Sequence, residues 1–322
     1  MDIVLHIGAH RTGNTTFQAY LRRNGEALFA LRIAVWDPER MRGGLANGMI
    51  GQHRPLTPEL VQKADRSAGL IRLEMQRLGQ AGIDRLLASE ANMIGSVRDN
   101  LHRLALYPQA LLRLERFAEV FGAQCSRVAL SIRSYEDYWS SALAGAVPCG
   151  LRWPDQDFLG RLAGQPRRWR QVIEEVATLF PRAECVVLPF EALAGQPEAQ
   201  LSAALGEAVP VLADARRWLH RSPNRDMLRQ VLKDRGERAL ARALTEGPER
   251  WQPFGSEQVA TMRAQYGEDL DWLRAGADGR AVILAETVQD GLAGTGVFVH
   301  GAAGEEGRDN GKATPIREAG TG

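Results

Sequence analysis

A chain of 322 residues, 44% hydrophobic and 25% charged, has the composition of a folded globular protein, and wholesale disorder is excluded. A formal net charge of +1 argues against the broad basic footprint of a nucleic-acid binder, though a small basic pocket remains compatible with it. The three cysteines, Cys125, Cys149 and Cys185, contain no C-x-x-C pair, so neither a disulfide frame nor a zinc site is expected.

In chain order, the first predicted element is a buried strand over Ile3–Ile7, entered directly from the N-terminus. There is no basic n-region and long apolar stretch of a signal peptide, and no apolar run approaches the roughly 20 residues that span a bilayer. A cytoplasmic location without a membrane span is the expectation. Ile33–Trp36 is a further, shorter strand candidate. Arg85–Ala88, Val128–Ile132 and Cys185–Leu188 are short β-branched or leucine-rich runs that suit strands covered on both faces.

Helical periodicity fills the gaps. Leu111, Leu114, Phe117 and Phe121 recur at three- and four-residue steps, as do Trp169, Val172, Ile173, Val176 and Leu179. Val259, Met262, Tyr266, Leu270 and Leu273 repeat the pattern, with Ser256 placed to cap and Gly276 to stop. Strands alternating with helices predict an α/β fold: a central parallel sheet flanked by helices. Residues 1–285 form the expected domain. Residues 286–322 are expected to be a flexible tail, since nine of the 32 residues from Gly291 to Gly322 are glycine.

The most informative stretch is Leu5-His6-Ile7-Gly8-Ala9-His10-Arg11-Thr12-Gly13-Asn14-Thr15-Thr16. A strand enters a loop with two glycines, and two hydroxyl residues open a helix. Loop amides and a helix N-terminus present N–H donors and a positive dipole end to an anion. The spacing fits G-x-x-x-x-G-K-[ST] except that Asn14 stands where the lysine belongs, and the loop's cation is Arg11 instead. No strand here ends in the acidic pair expected of a Mg²⁺-dependent NTPase.

The loop resembles the 5′-phosphosulfate loop of the PAPS-dependent sulfotransferases, roughly G-x-x-K-T-G-T-T after the first strand. Gly8, Thr12, Gly13, Thr15 and Thr16 match, while Arg11 replaces lysine and Asn14 replaces threonine. The family's second signature, a strand-end arginine followed eight residues later by a serine that grips the 3′-phosphate, is matched by Arg133 and Ser141. Taken singly, a surface ion pair explains Arg133 and a solvated helix position explains Ser141; the joint match favours the phosphate role. Ser89-Glu90 and Pro189-Phe190-Glu191-Ala192-Leu193 are weaker echoes of bacterial members. The family's R-K-G segment is missing, and Arg225 or the Arg216-Arg217 pair is the available substitute.

The resemblance implies a P-loop NTPase-like sulfotransferase architecture. It also implies transfer of a sulfuryl group from PAPS to a hydroxyl or amine on a small-molecule or carbohydrate acceptor, with PAP as product and no metal. Gly8, Ala9, His10, Arg11, Thr12, Gly13, Asn14, Thr15, Thr16, Arg133 and Ser141 are then the cofactor-binding set. Arg11 would act as a fixed charge, because a guanidinium does not readily release its proton. Of the 40 basic residues 37 are arginines, so arginine for lysine is weak grounds for an inactive protein. Glu90, at a strand's carboxyl end, is the first choice of base, with a structural carboxylate that caps a helix or pairs with an arginine as the equal alternative; His10 and His53 follow. Two rivals stand beside this: a kinase or NTPase with a degenerate loop, and an inactive module that binds PAP or PAPS.

Overall fold

The structure, a computed structural model, describes residues 1–51, 57–215, 219, 222–284 and 298–299. Its α/β architecture is the expected one. Strands β1 (Asp2–His6), β2 (Ile33–Trp36), β3 (Arg85–Ser89), β4 (Cys125–Ile132), β5 (Glu184–Pro189) and β6 (Val282–Leu284) are parallel, in the order β2-β3-β1-β4-β5-β6. The two-residue strand β7 (Phe298–Val299) is antiparallel to β6. It falls within the segment expected to be a flexible tail, and the rest of that segment lies outside the described residues.

Alternation along β1 divides the core. Ile3 and Leu5 join a large cluster on one side of the sheet, while Val4 joins a second cluster on the other. Helix α1 (Asn14–Arg23) closes the second cluster through Phe17, Tyr20 and Leu21. Helices α2 (Ala110–Phe121), α3 (Tyr135–Ala146) and α4 (Trp169–Leu179) supply the first cluster with Phe117, Trp139 and Val172. Each such apolar side chain fully buried contributes roughly 1.5–3 kcal/mol. Tyr135, Tyr138 and Trp139 are buried in this core.

The periodic helices appear where predicted, with local differences. Leu111 is exposed and Ala110 takes its place in the core, because a twelve-residue helix buries only one stripe. In α5 (Ser256–Arg274) the cap position is Gly255, and Ser256 is the first helical residue. The helix Pro58–Gln80 has no counterpart in the sequence reading. Its buried positions are Ser67, Ile71 and Met75, a stripe too narrow to stand out as periodicity.

The strand order places the loop after β1 at a topological switch point. From β1 the chain crosses β3 to reach β2; from β4 it moves the opposite way to β5. The connections diverge at the carboxyl ends of β1 and β4 and leave a crevice between them, the place where open α/β sheets bind ligands.

His6, on the α1 side of β1, is fully buried. Its ring meets Phe17 edge-on at 4.8 Å between centroids, with Nδ1 2.8 Å from Ser89 Oγ and Nε2 3.2 Å from Gln200 Nε2. Burial lowers its pKa from 6.5 to about 3. Below pH 6.5 the unfolded chain therefore takes up a proton that the folded chain refuses, and stability falls by about 1.4 kcal/mol per pH unit for this group. Urea midpoints measured between pH 7 and pH 5 are expected to fall with pH, and to fall less steeply in His6→Asn. Equal slopes in the two proteins would refute the buried neutral imidazole.

Candidate functional site

The loop after β1 is tied to β4 before it turns. The Ala9 amide donates to the Ser131 carbonyl at 2.9 Å, and the Ser131 amide donates to the Gly8 carbonyl at 2.6 Å. The turn leaves the Ala9 carbonyl pointing inward, where Thr12 Oγ1 and Asn14 Nδ2 each donate to it at 2.6 Å. Thr12 and Asn14 therefore use their polar atoms to shape the loop. Gly13 precedes α1 with φ 83°, a left-handed conformation that favours glycine. Among the described residues no side chain caps α1, and Gly13, Asn14 and Thr15 at its start line the crevice.

That crevice is a cleft of about 1060 Å³. Of the residues expected to bind the cofactor, His10, Arg11, Gly13, Asn14, Thr15, Arg133 and Ser141 line it. Gly8, Ala9, Thr12 and Thr16 lie behind this surface. Thr16 Oγ1 instead bonds the carbonyl and amide of Leu219 at 3.1 and 3.0 Å, fastening a distant segment to α1.

The loop and the arginine of β4 meet directly. Arg133, 2% exposed, donates from Nη1 to the Arg11 carbonyl at 2.9 Å and from Nη2 to Asp137 at 3.2 Å. Its guanidinium lies over the Phe190 ring, 4.5 Å from the centroid. Its Nε is buried and has no hydrogen-bond partner among the described residues. Burial lowers the Arg133 pKa first, and the like charge of Arg250 lowers it further. Arg250 shares Asp137 at 3.1 Å, so one carboxylate serves two cations.

Arg11 has φ 66°, an uncommon conformation for a non-glycine residue, and the Arg133 hydrogen bond holds its carbonyl. Its side chain crosses the cleft. Nε donates to Ser141 Oγ and Nη2 to Ser222 Oγ, both at 2.9 Å, and the two hydroxyls stand 2.6 Å apart. A Cβ on Gly145 of α3 would come within 3.1 Å of this guanidinium, so the glycine makes room for it. Arg11 forms no ion pair among the described residues, and burial lowers its pKa.

The expected bases are placed differently. Glu90 is 0% exposed and accepts from Arg42 in a two-pronged pair at 2.6 and 2.7 Å and from the Asn92 amide at 2.8 Å. It does not line the cleft; Arg42 does, its side chain 50% exposed. The strand-end position that suggested a base thus holds a carboxylate already occupied by an arginine. His10 has both ring nitrogens engaged. Nδ1 is 3.0 Å from the Tyr107 hydroxyl, and on hydrogen-bond grounds the Asn92 amide turns its nitrogen to Nε2 at 3.0 Å. Burial lowers the His10 pKa from 6.5 to about 4, leaving a neutral ring that props the loop. His53 and Arg216-Arg217 lie outside the described residues. Arg225 opens the helix Arg225–Asp234, where it pairs with Glu249 and stands outside the cleft lining.

Ser222, Arg22, Arg42, Arg250 and Phe190 line the cleft without having been singled out as ligands. Ser222 precedes a proline and the Asn224 helix cap, a pattern that signals a turn and no more. Among the described residues the lining holds five arginines and neither aspartate nor glutamate. Among the described residues no three His, Cys, Asp or Glu side chains come together as metal ligands, and no helix is long and apolar enough to cross a membrane. Comparison with protein families, curated proteins and solved structures finds no match to this chain.

Breaking the Arg42–Glu90 pair tests the assignment of Glu90 to the support behind the cleft. Because the carboxylate is buried while its partner is half exposed, Glu90→Gln is expected to cost about 1–3 kcal/mol in urea denaturation. A general base confined to the reacting centre would leave stability unchanged.

Proposed function

We propose that this protein transfers a sulfuryl group from PAPS to a hydroxyl or amine acceptor. What carries the proposal is the pair of arginines that meet in one cleft. Among the described residues Arg11 has hydroxyl partners and no carboxylate, and Arg133 has a buried Nε–H with no acceptor. Buried donors are rarely left unmatched, and a phosphate oxygen is the acceptor a guanidinium fits best.

The residues suit a nucleotide phosphorylated at both ends. The first turn of α1, with Gly13 and Thr15, offers amides and a hydroxyl at one position; Arg133, Ser141 and Ser222 offer charge and hydroxyls at another. Phe190 presents an aromatic surface in the same cleft. When bound, PAPS would supply the activated sulfuryl group. The chain's own part is positioning and charge: Arg11 as a permanent cation between the two positions, and the loop amides as fixed donors. Mg²⁺-dependent phosphoryl transfer is less well served. Asn14 occupies the lysine position and spends its amide on the Ala9 carbonyl, and among the described residues no carboxylate lines the cleft.

Thermal shift with PAP, ADP, and ATP plus Mg²⁺ separates these chemistries. PAP at about 100 times its Kd is expected to stabilise the fold by about 2.7 kcal/mol, and Arg133→Ala to weaken PAP binding at least about tenfold. Stronger stabilisation by ATP with Mg²⁺ than by PAP would favour a kinase or NTPase. Tight PAP binding with no sulfate transfer to any acceptor pool would make the protein a binding module.

A further inference from the structure

A second cavity, of about 740 Å³, opens at the sheet edge formed by β2 and shares Arg22 with the arginine-lined cleft. The boundary is an ion pair. Arg22 Nε donates to Asp37 Oδ2 at 2.6 Å; Asp37 faces the second cavity and the adjoining Pro38 faces the cleft. The cavity is walled by Leu21, Val35, Leu45, Leu70 and Leu73. Leu70 and Leu73, three residues apart on one face of the helix Pro58–Gln80, remain 44% and 45% exposed.

The charges around the cavity are matched to one another. Arg40 and Arg77 both pair with Glu74, and Arg22 pairs with Asp37 and Glu39. Among the described residues of this cavity no cation is left over to call for an anion, in contrast to Arg11 in the cleft. The cavity has the volume of a small-molecule site, an apolar wall, and a polar boundary with the anion-binding cleft.

We infer that this cavity receives the acceptor's apolar portion, and that the acceptor is an alcohol or amine bearing an alkyl or similarly apolar tail. The tail lies against Leu70 and Leu73, and its polar head is directed past the Arg22–Asp37 pair into the cleft. The acceptor class rests on the transfer reaction proposed above, but tail binding is measurable without donor or turnover.

Titration calorimetry with hexyl, heptyl and octyl glucoside, each below its micelle concentration, supplies a hydroxyl-bearing head and a graded tail. Affinity is expected to rise about three- to fourfold per added methylene, the increment for a fully buried CH₂. In the double variant Leu70→Asn, Leu73→Asn the increment should shrink toward onefold, while the thermal midpoint and the PAP-induced shift stay as in the parent. Absence of binding, affinity independent of tail length, or an unaltered increment in the variant would overturn the inference. So would a dimer in sedimentation that is lost in the variant, since the leucines would then face a second copy. Failure of PAP to shift the parent's midpoint would instead remove the proposed reaction and leave the tail site standing.

Discussion

The hydrogen bond from Arg133 to the Arg11 carbonyl is the constraint on which the site depends. It joins the end of β4 to the loop after β1 across the crevice of the sheet and holds Arg11 in a left-handed conformation. With its backbone fixed there, the Arg11 side chain reaches Ser141 on α3 and Ser222 from a remote part of the chain. One buried guanidinium therefore organises a second, and the loop keeps its shape through Thr12 and Asn14 closing on Ala9.

Charge is distributed so that the cleft surface is cationic and its support is not. Glu90, Asp37 and Asp137 stand behind Arg42, Arg22 and the Arg133–Arg250 pair. Carboxylates in these positions orient the arginines and lower the cost of crowding like charges, without lining the cleft themselves. Arg11 is the exception, held by hydroxyls that are themselves able to turn toward an anion. A chain with a net charge of only +1 can in this way present a strongly anion-seeking cleft.

Much of this was legible in the residues. The four principal strands, the three periodic helices and the parallel sheet follow from apolar runs and spacing, because buried strands and amphipathic helices must place apolar side chains at fixed intervals. The glycine loop and the Arg133–Ser141 spacing pointed to two positions that the fold brings into one cleft. The helix Pro58–Gln80 was not legible, since three buried residues among 23 leave almost no periodic signal. The role of Glu90 was left open for a related reason: a carboxylate at a strand end has the same sequence signature whether it faces a ligand or an arginine, and only the fold pairs it with Arg42.

Sequence alone determined the strand-loop-helix unit at the N-terminus, its arginine and hydroxyl content, and the α/β class, because these depend on neighbours within a few residues. Tertiary structure decided which polar groups keep hydrogen-bonding capacity for a ligand and which spend it internally, as Asn14, Thr12, His10 and Glu90 do. It also decided that Ser222, 211 positions from Arg11, shares its guanidinium. A side chain's availability is set by what the rest of the fold brings within hydrogen-bonding distance, and no local pattern encodes that partner.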